Sequence, residues 1–201
     1  LEETPWVLNA QSEEQQRRNI ALLFDLGRMK KERDQVVQQL ADRQSPDGGF
    51  SWFPGGRDSW YITQYLLEGI GHLEHLQVLD ASKDQLLPEI TNGSLAFVDR
   101  SFQSHYDELQ KKIQNGTTKL DADHLTSIVI HYMYTRSLFA LKDEAGNQEE
   151  ALGYFLDQAK KYWVNRGVYQ QGMIAKAIHR NGEQAAAMEI IRSLEERAIR
   201  N

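Results

Sequence analysis

Gln44-Ser-Pro-Asp-Gly-Gly-Phe-Ser-Trp-Phe-Pro-Gly-Gly-Arg-Asp-Ser-Trp-Tyr-Ile-Thr-Gln-Tyr65 decides how this chain is read. The stretch holds two of the four tryptophans and two Gly-Gly pairs, each behind a proline. Glycine and proline at this density break regular structure. Helical patterns lie on both sides. The stretch therefore reads as a packed, aromatic-lined turn joining two helices.

Upstream, Pro5 disfavours helix at Thr4. Ser12 followed by Gln15 has the capping-box spacing of a helix start. Ile20, Leu23, Phe24, Gly27 and Met29, then Val36, Val37 and Leu40, form a helical stripe to about Arg43. Gly27 to Asp34 leaves open whether this is one helix or two.

Downstream, Asp58 is the expected N-cap of a helix carrying Tyr61, Ile62, Tyr65, Leu66, Gly69, Ile70 and Leu73. Pro88 suits the first turn of the next, and Asn115-Gly116 suits its end. Asp121 or Asp123 is expected to cap an apolar helix through Leu138, and Asn147 another through Trp163. Two more are expected, at about Val168 to Arg180 and Glu183 to Ile199, joined at Asn181-Gly182. No segment alternates with the period of a strand. The expected fold is all-α, with roughly seven to nine helices in antiparallel hairpins joined by short connections.

Composition narrows the function classes. The 201 residues form one expected helical domain, 23 basic against 29 acidic residues give a net charge of −6, and no cysteine occurs. Nucleic-acid binding has little support without a basic patch. No apolar run reaches the about 18 residues of a membrane span. Without cysteine there is no disulfide, thiolate metal site, cysteine nucleophile or internal thioester in these residues. The chain, which starts at Leu1, reads as a piece excised from a larger protein.

Candidate chemistry is sparse. His72 and His75 share a helix face, but two ligands without a third make no specific metal site. Asp121, Asp123 and His124 cluster where helix capping already explains the aspartates. His131, within an apolar helix, reads as a hydrogen-bonded core histidine. Glu68, Asp99 and Glu108 would need folding to unite them as paired carboxylates for sugar hydrolysis. No nucleophile elbow, phosphate loop or dinucleotide fingerprint is present, and no cofactor is expected. Asn92-Gly-Ser and Asn115-Gly-Thr match the short glycosylation sequon. In the turn, Trp52, Phe53, Trp60 and Tyr61 are expected to plug the joint between hairpins, with Arg57 and Asp58 pairing or capping. The alternative is a ligand groove using Trp52, Arg57, Asp58 and Trp60.

Leu1-Glu-Glu-Thr-Pro-Trp-Val, Ile20-Ala-Leu-Leu-Phe-Asp-Leu-Gly-Arg-Met29 and Pro46-Asp-Gly-Gly-Phe-Ser-Trp-Phe-Pro-Gly-Gly-Arg-Asp58 resemble the thioester-type domain of bacterial alpha-2-macroglobulin-like proteins. Tyr61-Ile-Thr-Gln-Tyr, Gly69-Ile-Gly-His-Leu73 and Gly172-Met-Ile-Ala-Lys-Ala-Ile-His-Arg-Asn-Gly182 extend the likeness. The resemblance implies an α/α toroid, here incomplete, whose inner helices can expose apolar surface that missing parts would cover. It implies a non-catalytic domain of a protease-trapping inhibitor of the periplasm or cell envelope. The partners implied are target proteases, met through the full-length parent, and neighbouring domains of the same chain. Some members capture the protease through a Cys-to-Gln thioester; the resemblance places that motif before the Glu-Thr-Pro-Trp segment. The Gln44 to Phe50 stretch is also similar, weakly, to the Gln-Trp repeats of terpenoid cyclases, but their Asp-rich motifs are missing. The alternative function is an α/α toroid enzyme or glycan-binding domain with an aromatic-lined cavity.

Overall fold

A computed structural model describes residues 13–79, 84–139 and 146–198. Seven α-helices and one short 3₁₀ turn occur among them, and no strand; the fold is all-α, as the periodicity predicts. The chain divides into two compact units, Leu1–Arg43 and Gln44–Asn201.

The first unit contains α1 (Glu13–Arg43), unbroken through Gly27 to Asp34. Its exposed side chains pair along the helix. Arg28 meets Glu32 at 2.8 Å and Gln38 donates to Asp42 at 2.9 Å. Spacing of four residues places such partners on one face. The expected cap at Ser12 lies outside the described residues.

The second unit contains α2 (Trp60–His75), α3 (Leu87–Gln114), α4 (Ser127–Arg136), α5 (Gly146–Tyr162), a 3₁₀ turn (Trp163–Asn165), α6 (Val168–Arg180) and α7 (Gln184–Ala198). Its helix starts differ from expectation at two points. Ser59, not Asp58, caps α2: its backbone is extended and its hydroxyl accepts from the Ile62 amide. Thr126, not Asp121 or Asp123, stands before α4, without a side-chain cap bond. Asp123 instead accepts from the Leu125 amide at 3.1 Å and from Arg166. Within the described residues α5 begins at Gly146, so Asn147 is in its first turn rather than ahead of it. Pro88 is in the first turn of α3, and Gly116 and Gly182 take the positive φ that ends α3 and α6.

Three hairpins build the unit. α2 packs on α3, α4 contacts α5, and α6 packs on α7. α4 also touches α2 and α6, while α3 touches α5. Hydrogen bonds fix the direction of the shared layer. Gln64 reaches the Ile128 carbonyl, Glu68 reaches His131 and His72 reaches Tyr134, at separations of 64, 63 and 62 residues. Gln170 reaches Ser127 and Arg180 reaches Ser137, both at 43. Near-constant offsets mean that α2, α4 and α6 run parallel, with their N-termini at one end.

α4 is the centre of this layer. Every residue from Val129 to Arg136 is buried, because α2, α3, α5 and α6 surround it. A helix with apolar residues around most of its circumference suits that central place. Two of its polar members are partnered inside: Tyr132 donates to Asp99 at 2.7 Å and Arg136 pairs with the same carboxylate at 3.1 Å. The apolar core continues through Leu67, Phe102, Ile130, Met133, Phe155, Ile174, Ile178 and Ile190. Phe102 stacks on Tyr132 with centroids 4.0 Å apart.

Candidate functional site

The diagnostic turn folds as a polar latch on α3. Gln44 donates to the carbonyls of Ile90 at 2.9 Å and Gly48 at 3.1 Å, and to the Ser94 hydroxyl at 3.0 Å. Ser45 donates to Asp58 at 2.5 Å, closing the loop on itself. The Phe50 amide donates to Thr63, and the Ser59 amide to the Phe50 carbonyl. Gly48 has φ +86°, and a Cβ there would stand 2.1 Å from the Gly93 carbonyl oxygen. A Cβ on Gly49 would meet the Asp58 carboxylate at 2.6 Å. The Pro-Asp-Gly-Gly motif is thus glycine-rich because backbone touches backbone and carboxylate.

The aromatics are not the plug that the sequence suggests. Phe50 is buried (4% exposed), and Trp60 is half-buried against the core beside His105 and Tyr132. Trp52 (68%) and Phe53 (67%) are open to solvent, and Tyr61 is exposed as well. Hydrogen bonds through glycine hold the joint, so these rings need not. Of the residues singled out in the turn, Asp58 belongs to the latch and Arg57 is exposed. Trp60 belongs to the core edge. Trp52 and Tyr61 face outward and stack on other rings.

Trp52 stacks on Tyr61, with centroids 5.9 Å apart and planes 12° apart. Tyr61 stacks in turn on Tyr65 at 6.2 Å and 17°. Tyr65 is one helical turn past Tyr61, so one face of α2 carries both. The row leads into a groove of about 320 Å³ at the N-terminal halves of α2, α4 and α6. Its sides are Tyr61, Tyr65 and Tyr169, with Ile128 and Met173; its floor is Glu68 and His131. No lysine or arginine lines it. Periodicity places Tyr61 and Tyr65 on one helix face but gives no hint of Tyr169. It joins them only through the parallel register of α2, α4 and α6.

The floor has a defined proton arrangement. Gln64 Nε2 donates to the Ile128 carbonyl at 3.3 Å, so the same nitrogen donates to His131 Nδ1 at 2.8 Å. Nδ1 is therefore the acceptor, and His131 Nε2 carries the proton donated to Glu68 Oε2 at 2.7 Å. Burial pushes the His131 imidazole below its ordinary value, against the pull of Glu68, which keeps the ring neutral. Burial raises the Tyr169 phenol, and the negative Glu68 adds to it. The other carboxylate oxygen, Glu68 Oε1, accepts no hydrogen bond among the described residues. His72 Nε2 stands 3.9 Å from it and is bonded to Tyr134 at 2.7 Å.

His131 is not placed as a general base. A histidine acting as general base needs a free nitrogen facing a nucleophile. Both nitrogens of His131 are engaged, by an amide and a carboxylate. Glu68 and Asp99, two of the carboxylates folding might have united, have different partners: His131 for one, Tyr132 and Arg136 for the other. His75 is exposed, and no three metal-ligating side chains converge among the described residues. His124 is tied to Tyr154 at 2.6 Å and Thr118 at 2.9 Å, bracing the loop before α4. Among the described residues, no helix is long and apolar enough to cross a membrane.

Comparison with protein-family models, curated proteins and solved structures gives no match.

Proposed function

We propose that this chain is a non-catalytic helical domain of an alpha-2-macroglobulin-like protease trap, acting from the periplasm or cell envelope. The reading starts from the sequence resemblance. The observation that carries it furthest is the alternation of the hairpins: α2, α4 and α6 share one layer in parallel, and their partners α3, α5 and α7 pack behind them. An arc of an α/α toroid requires this alternation. The motif most specific to the resemblance, Pro46-Asp-Gly-Gly-Phe50, forms the latch that fixes the entry to the first of these hairpins. Both nitrogens of His131 being engaged favours a domain without its own chemistry. Exposed Leu73, Leu76, Val78, Val164 and Val168 suit contact with neighbouring domains of the parent.

The test uses the full-length parent. Incubation with a broad-specificity protease is expected to cleave one bait segment, compact the molecule and retain the protease. Progressive degradation with no retained protease would end this reading. A second reading, a glycan-binding domain, draws support from one observation, the exposed row Trp52, Tyr61 and Tyr65. Sugar rings stack on such surfaces. Titration with a panel of oligosaccharides, followed by tryptophan fluorescence, tests it; a flat response across the panel removes it.

A further inference from the structure

The groove at the N-terminal halves of α2, α4 and α6 has a chemistry that neither reading uses. Its walls are three tyrosine rings, two of them continuous with Trp52. Aromatic faces carry the negative end of a quadrupole and attract cations. Its floor holds one carboxylate whose histidine partner is neutral, so the negative charge is not cancelled. No cationic side chain lines it. Ile128 and Met173 add apolar surface beside the rings. A carboxylate below aromatic and aliphatic walls suits a positive head on an apolar stem.

We propose that this groove binds the alkylammonium side chain of a lysine presented by a basic peptide. The ammonium sits against Glu68 Oε1, the oxygen without a hydrogen-bond donor among the described residues, and the methylene stem runs between Tyr65 and Tyr169. Lysine is favoured over arginine by the state of the carboxylate. A guanidinium recognises two carboxylate oxygens side by side, whereas an ammonium is a point charge served by one. His131 already occupies Oε2 at 2.7 Å, leaving one oxygen. A peptide is favoured over a free amine because the aromatic row runs on from Tyr65 through Tyr61 to Trp52, past the reach of a single side chain. The chain's net charge of −6 favours a basic partner in the encounter. The inference rests on the groove alone, independent of the protease-trap and glycan readings.

The experiment titrates the full chain with acetylated, amidated tripeptides Gly-X-Gly at fixed ionic strength. Intrinsic tryptophan fluorescence is the readout, and X is lysine, arginine or norleucine. Norleucine keeps the stem and deletes the ammonium. Saturable binding of the lysine peptide is expected, with norleucine weaker by at least about tenfold and arginine weaker by several-fold. Glu68→Gln keeps an acceptor for His131 but removes the charge, and is expected to weaken lysine binding by about tenfold or more. Tyr169→Leu, at a largely exposed ring, is expected to weaken it by several-fold while leaving the melting temperature unchanged. Butylammonium binding as tightly as the lysine peptide would overturn the peptide assignment. Equal affinity for norleucine, undiminished lysine binding by Glu68→Gln, or no saturation at millimolar peptide would overturn the site. So would competition by a neutral oligosaccharide that binds more tightly than the lysine peptide.

Discussion

The latch and the groove meet at the start of α2, and both mix aromatic with polar residues, yet they finish in opposite states. In the latch, Gln44, Ser45, Asp58, Thr63 and Ser94 satisfy one another and the turn's backbone, and Phe50 is sealed beneath them. In the groove, Glu68 keeps one oxygen unbonded among the described residues, and the rings of Tyr61, Tyr65 and Tyr169 face solvent. Residue type does not separate the two regions. Glycine does. Where Gly48 lies against Gly93, backbone closeness supplies much of the cohesion, and the exposed rings of Trp52 and Phe53 add little to it. Where the backbone stays inside its helices, side chains alone define the surface, and they stay open.

The sharpest way to break this contrast is at the sealed ring. Phe50→Ala removes a buried side chain and is expected to cost about 3–5 kcal/mol in urea unfolding. A loss below about 1 kcal/mol would mean that the latch holds without its apolar seal. Gly48→Ala tests the backbone contact itself. The new Cβ would enter the Gly93 carbonyl at a φ that L residues avoid. Overpacking and the left-handed backbone together predict about 2–4 kcal/mol, read as a lowered melting temperature. An unchanged melting point would show that the turn can shift away from α3 at little cost.

Much of this was legible before any coordinates. Periodicity gave the all-α class and the ends at Gly116 and Gly182, because a helix stop uses local chemistry. The cap at Asp58 misled because two neighbouring residues both suit an N-cap; Ser59 takes the role once Ser45, 13 residues earlier, claims the aspartate. Trp52 misled for a similar reason. Aromatics beside glycines suggest packing, but Ser51–Asp58 pairing turns that short arm outward. Glu68 and His131 each stand out separately in the sequence. Their union depends on an offset of 63 residues between parallel helices, which no local pattern encodes.

The floor of the groove adds a pH dependence. Burial holds His131 below the ordinary imidazole value of 6.5, opposed by Glu68. Burial does the same for His105, with Glu108 opposing and Lys112 adding. Unfolded histidine takes up its proton near 6.5, while the folded forms do so only at lower pH. Their contribution to stability is therefore complete above about 6.5 and is lost as pH falls through the folded values. Urea unfolding is expected to show a decline in stability from pH 7.5 to pH 5, and His131→Gln is expected to flatten part of it. A variant with the wild-type slope would place the neutral imidazole outside the energetics of the floor.

The smallest effect is expected at Trp52. Its ring is more than two-thirds exposed and touches the rest of the molecule through its stack on Tyr61. An exposed side chain has little burial to lose, and one offset aromatic pair at the surface contributes near the low end of about 0.5–1.5 kcal/mol. Trp52→Ala is therefore expected to change unfolding stability by about 0.5 kcal/mol or less. A loss approaching that of Phe50→Ala would return Trp52 to the joint, and the row of rings would be scaffolding. A negligible loss leaves a large apolar ring held in solvent without benefit to the fold. Natural surfaces seldom keep such a ring beside two others in near-parallel planes unless something settles on it. The size of this one small number decides whether the aromatic row belongs with the latch or with the groove.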